Sequence, residues 1–169
     1  MNLDFFGVFD YASGDSDVYE YTATEFNEIF RAITSTGVVS SYLNEMAVSV
    51  DGLTATVDTG GCFINGRYGK IAIAKQLTLD AATTARKDTI ILRLDVPNRL
   101  LTLEVKKGST SLTQTENVYE LALAEITIPA NSVETTVEDK RTFYYTPTDA
   151  AKRLDKVLTG TEYVYACYA

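Results

Sequence analysis

The side chains able to do chemistry in this chain are few, and the first fact is an absence. There is no histidine. That removes the commonest general base and the commonest transition-metal ligand, so Ser-His-Asp and Cys-His catalysis cannot be built. Two cysteines, Cys62 and Cys167, stand far apart. Two thiols cannot make a structural zinc site, and they read as small buried hydrophobes, with a disulfide left open. Carboxylates are plentiful. Asp4, Asp10, Asp15, Asp17 and Glu20 read as a solvated face rather than a site. Calcium at the Asp15/Asp17 turn is the rival, but EF-hand spacing is missing. The most site-like local feature is Arg67-Tyr68 between Gly66 and Gly69, which competes with a turn residue in a surface ion pair. Glu138-Asp139-Lys140-Arg141 reads as a solvated charge run. No catalytic residue, metal ligand or cofactor is expected, and the chain is not expected to be an enzyme.

The elements that would position these residues follow from periodicity. Residues 88–108 organise the rest. Ile90, Leu92, Leu94 and Val96 alternate with Ile91, Arg93 and Asp95. Pro97-Asn98 then turns the chain, and Leu101, Leu103 and Val105 alternate with Thr102, Glu104 and Lys106. Period two on both sides of a turn predicts an antiparallel hairpin with one apolar face that needs a partner layer. Residues 45–58 predict a second hairpin around Asp51-Gly52. Ile71, Ile73 and Leu77 to Leu79 make another strand or two. The glycines at 60, 61, 66 and 69 permit tight turns or close backbone approach, without phosphate-loop spacing. From Tyr119 to Ile128 the apolar phase shifts between Leu123 and Ile126, which predicts a β-bulge or a strand buried on both faces.

Two helices are expected. Over residues 22–36, Thr22 and Glu25 fit a capping box and Tyr21 with Phe26 a hydrophobic staple. Phe26, Ile29, Phe30 and Ile33 form one apolar stripe, with Gly37 as the stop. A short helix starts at Thr146-Pro147. The tail, EYVYACYA, reads as an apolar strand that pairs with a sheet edge. Before the first helix, Phe5, Phe6, Phe9, Tyr11, Tyr19 and Tyr21 make an aromatic arm, which either covers the core edge or docks on a neighbouring subunit.

The 169 residues fit one domain, or one domain with a short appendage. We place a β-sandwich attachment module, with its arm and helix, at 1–145, and a C-terminal helix and strand at 146–169. The fold class is mainly β, an antiparallel sandwich with about eight short strands. The net charge of −8 argues against nucleic acid. No apolar run approaches a membrane span, and the N-terminus lacks the basic start and apolar core of a secretory signal.

Four blocks in order carry a resemblance: FGVFDYASGDSDVYEYTATEFNEIF, VDTGGCFINGRYG, DTIILRLDVPNRLLTLEVKKG and VYELALAEITIPANSVETTVEDKRT. Across residues 6–142 the chain resembles the N-terminal, shoulder-like module of baseplate and tail-fibre receptor-binding proteins of bacteriophages infecting Gram-positive bacteria. The resemblance implies a β-sandwich in the virion, made in the bacterial host cytoplasm, forming a trimer and contacting other baseplate or tail proteins. It implies no catalytic residues. Tyr21, Phe26 and Phe30, then Gly66, Arg67 and Tyr68, then Asp139 and Arg141 match its segments and are read as fold and assembly positions. An Arg141–Asp139 pair, if exposed, would be worth ~0.5 kcal/mol. Only residues 143–169 follow the last block, which leaves no room for a separate head and favours a structural or adaptor role. The rival reading is a carbohydrate-binding module for host cell-wall saccharide; a two-carboxylate glycan hydrolase ranks below it.

Overall fold

The structure, a computed structural model, describes residues 23–151. It is mainly β. Among the described residues one helix, α1 (Ala23–Ile33), precedes eleven strands, and a second helix begins at residue 147. The strands are β1 (Gly37–Val39), β2 (Val48–Asp51), β3 (Thr54–Val57), β4 (Gly60–Ile64), β5 (Arg67–Ile71), β6 (Lys75–Thr78), β7 (Arg86–Asp95), β8 (Leu100–Lys106), β9 (Val118–Ile128), β10 (Thr136–Asp139) and β11 (Phe143–Tyr144). The count exceeds the expected eight because short strands flank several turns.

They form three sheets, ordered β11-β1-β4-β5, β10-β9-β7-β8 and β2-β3-β6. All pairings are antiparallel except β1 with β11. Val38, Cys62 and Ile64 of the first sheet and Ala55 and Val57 of the third share one core with Ile90, Leu92, Leu94, Leu121, Leu123, Ile126 and Ile128 of the second. The long sheet thus lies against the two shorter ones, a sandwich. At its centre Cys62 is fully buried, and burial pushes its thiol up to about 11. Cys167 lies outside the described residues.

The hairpin of residues 88–108 takes the expected register, with Leu92 opposite Leu103 and Leu94 opposite Leu101. In β9 both predicted causes of the phase change are present. Ile90 pairs with Ala124 and Ile91 with Ala122, so Leu123 is the extra residue of a bulge. Past it the inward phase moves from Leu121 and Leu123 to Ile126 and Ile128, while Ala122 on the other face is buried too.

Several expectations are corrected. Gly37 does not stop α1. The helix ends at Ile33, where the Thr34 amide and hydroxyl both donate to the Phe30 carbonyl, and Gly37 opens β1 against the backbone of Thr142 and Phe143. The second hairpin turns on Gly52-Leu53, one residue later than expected, because Asp51 pairs with Thr54 and Gly52 takes the positive φ. Ile73 is not in a strand and is exposed. The Thr146-Pro147 start is present, with the Asp149 amide donating to the Thr146 hydroxyl.

The outer face of the long sheet holds a polar centre that pattern reading passed over. Glu120 faces Arg93 across β7 and β9 and its side chain is 2% exposed. Arg93 Nη1 donates to Oε1 at 2.8 Å, Lys106 Nζ to Oε2 at 2.6 Å, and the Thr113 amide to Oε2 at 2.7 Å. Burial would raise this carboxyl, but the Lys106 and Thr113 hydrogen bonds and the two cations outweigh it and hold it below the usual range. The polar loop at 108–117 is fastened to Glu120 through the Thr113 amide, and separately near the start of β7, where Gly108 N–H donates to Asp88 and the Thr89 hydroxyl donates to the Ser109 carbonyl.

Candidate assembly surface

Asn65-Gly66 is the two-residue turn between β4 and β5, closed by the Ile64–Arg67 pair. Both turn residues carry positive φ, 48° and 76°, the geometry an Asn-Gly hairpin turn favours. Gly66 does more than turn. A Cβ there would lie 2.2 Å from the Asn27 carbonyl oxygen and 2.7 Å from Arg31 Cγ. The missing side chain is therefore the seat on which α1 rests.

That seat fixes how α1 presents its stripe. Phe26 and Phe30 are each 41% exposed, Ile29 37% and Ile33 65%. The stripe is real, but it is not buried in the core. Beside it the sheet adds aromatic side chains. The Phe63 ring lies 6.4 Å from Phe30, 5.3 Å from Tyr68 and 5.6 Å, edge-on, from Tyr144. These separations suit tilted and T-shaped aromatic pairs. Two shallow concavities, of about 430 and 540 Å³, share Phe30, Phe63 and Tyr68; the first extends to Ile33, Val39, Tyr42, Tyr144 and Pro147. Tyr68 remains half exposed.

A few polar groups edge this surface. Gly61 lets Tyr42 and Tyr68 close over β4, since a Cβ there would meet the Tyr68 hydroxyl and the Tyr42 ring. Burial, then the hydrogen bond with Tyr42, pushes the Tyr68 hydroxyl up to about 12. Hydrogen bonds from Tyr68 and then Lys70 lower that of Tyr42. The Lys70 ammonium lies 5.7 Å from the Tyr42 ring centroid. The Tyr68 phenol is neutral at pH 7, so the surface around it is apolar with a hydroxyl accent.

Of the candidate residues, Phe30, Arg67 and Tyr68 are gathered here, and Phe26 stands one turn earlier on the same helix. Arg67 lines the concavity and donates to the Asn65 carbonyl at 3.1 Å. The surface ion pair weighed for it is absent among the described residues. Phe5, Phe6, Phe9 and Tyr21 lie outside the described residues, as do Thr22 and the tail. Asp139 and Arg141 are elsewhere, at the junction of the sheets. Arg141 takes Asp139 in a fork at 2.6 to 3.1 Å and also donates to the Glu45 carbonyl at 2.8 Å. With its side chain 14% exposed, Arg141 is a pin, not part of a solvated charge run.

Pattern reading missed Phe63, Tyr144 and Tyr42. The signal for Phe63 was present: recognising Asn65-Gly66 as a hairpin turn pairs Phe63 with Tyr68 directly. Among the described residues no three His, Cys, Asp or Glu side chains group as a metal site. Comparison with protein-family models, with curated proteins and with solved structures finds no match.

Proposed function

We propose that this chain is a structural protein of a phage tail or baseplate, which self-associates as a trimer and attaches the host-adsorption apparatus to the tail. The four-block resemblance supplies the setting. The observation that carries the reading is the exposed aromatic face, where Phe30 and Ile33 of α1 stand beside Phe63, Tyr68 and Tyr144. Contiguous apolar surface of this kind marks interaction sites, and buried aromatic anchors dominate interface energetics. Copies held together multiply weak contacts with no new chemistry.

Analytical ultracentrifugation tests it. The chain sediments as a trimer at micromolar concentration, and Phe30→Asp shifts it to monomer with its β-rich circular dichroism kept. A wild-type chain that is monomeric throughout that range overturns the reading. The rival, a carbohydrate-binding module, draws on the tyrosines that line the same concavity. Binding of the full chain to a glycan array, abolished by Tyr68→Ala, would favour it instead.

A further inference from the structure

Next to the aromatic face lies a polar notch of about 330 Å³, walled by Arg31, Asn65, Arg67, Gln114 and Tyr119. Arg67 lines both the notch and the aromatic concavity, so the two adjoin at its side chain. Three other guanidiniums, Arg86, Arg93 and Arg141, each bind a carboxylate, and Arg99, also without an ion pair among the described residues, stands alone at the β7–β8 turn. Arg31 and Arg67 form no ion pair among the described residues, although Glu116 stands on the notch wall. In a chain of net charge −8 this is a cationic notch joined to an aromatic face. It fits a segment that is acidic and aromatic at once.

The chain contains one such segment. Residues 1–22 hold five carboxylates (Asp4, Asp10, Asp15, Asp17 and Glu20) and six Phe or Tyr, and no Lys or Arg occurs before Arg31. We infer that the first 22 residues of one copy dock on the aromatic face and the Arg31/Arg67 notch of a second copy. Guanidinium forks take carboxylates in pairs of parallel hydrogen bonds. Each exposed pair alone contributes little, so the aromatic side chains bring affinity while the charges set register and partner choice. An extended segment of this length reaches about 70 Å, against about 16 Å for the length of α1, which is ample to cross to a neighbour. The choice of a second copy rests on the self-association proposed above.

Charge reversal on the full chain tests it, with association read by sedimentation equilibrium. One variant reverses the notch (Arg31→Glu with Arg67→Glu). Another reverses the segment (Asp10→Lys, Asp15→Lys and Asp17→Lys). Each alone raises the dissociation constant about tenfold or more. An equimolar mixture of the two recovers association in part, because in a mixed trimer two of the three contacts then bring a segment to a notch of opposite sign. Recovery in a single chain carrying all five substitutions, without recovery in the mixture, means docking within one copy and overturns the inference. Wild-type association by both variants also overturns it while leaving the assembly reading in place. A monomeric wild type defeats the assembly reading itself.

Discussion

Replacing Gly66 with alanine should unseat α1 while leaving the sandwich folded, and Gly108 provides the control. Both glycines have positive φ, 76° and 65°. An alanine in either place takes a left-handed conformation that costs roughly 1–2 kcal/mol. Part of that is offset by about 0.4–1 kcal/mol from the stiffer unfolded chain. At Gly108 nothing lies within 4 Å of the added Cβ, so Gly108→Ala loses only the difference, about 1 kcal/mol. At Gly66 the new methyl would sit 2.2 Å from the Asn27 carbonyl oxygen. A helix backbone cannot swing aside as a side chain can, so α1 must lift. The Phe30–Phe63 contact then weakens, adding about 0.5–1.5 kcal/mol for the ring pair before any lost apolar burial. Gly66→Ala should therefore lose about 2–3 kcal/mol, against a fall in melting temperature of about 2–4 °C for each kcal/mol.

Urea unfolding supplies the two stabilities, and amide hydrogen exchange locates the damage. Exchange in α1 should accelerate in Gly66→Ala and stay at the wild-type rate in Gly108→Ala, while core amides such as those of Ile90 and Leu92 keep their relative protection. Self-association should fail only in the Gly66 variant. Equal losses for the two variants, with α1 exchange unchanged in both, would refute the seating of the helix on the turn.

Glu120→Gln should cost about 1–2 kcal/mol at pH 7, at the low end for a buried carboxylate because Arg93 and Lys106 stay partly hydrated. Its folded-state pKa is depressed, so the contribution is fully present above the unfolded value near ~4.3 and is lost as pH falls through the lower folded value. The gap between wild type and variant in urea midpoint should thus hold from pH 7 to 5 and narrow toward pH 3; a gap that widens on acidification contradicts the assignment. Arg141→Ala should cost more than Asp139→Asn. The Asp139 carboxylate is 56% exposed and its ion pair is solvent-screened, whereas the alanine also orphans the Glu45 carbonyl, at about 1–2 kcal/mol. Equal losses in urea unfolding would show that Arg141 acts through the ion pair alone.

Where the fold was legible, one local rule and the long-range packing agreed. The hairpin of β7 and β8 has a strict period of two, and a one-residue slip would turn Leu92 and Leu94 to water, so its register had one solution. The phase change in β9 was legible for the same reason. Errors came where a residue type serves two purposes. A glycine after an apolar stripe commonly ends a helix, but Gly37 is needed where β1 meets Thr142 and Phe143, a contact about a hundred residues away in sequence. Asp51-Gly52 marked a turn correctly but not its frame, because Gly52 serves as the first central residue rather than the second.

The surface was only half legible, and the reason is physical. A stripe such as Phe26, Ile29, Phe30 and Ile33 states that a helix has an apolar face; it does not state what covers that face. Core burial and a face left at the surface leave the same period in the chain. What separates them is the seat. Gly66 brings the helix backbone close to the β4–β5 turn, and this holds Phe30 beside Phe63 with Ile33 still outside. Tyr144 arrives through the parallel pairing of β11 with β1, which no local spacing announces. Helix period, hairpin register and a distant strand converge on one aromatic patch, and only the first two were written in contiguous residues. An interface made this way should be sensitive to Gly66, which touches none of the exposed rings' outer faces but sets where they stand.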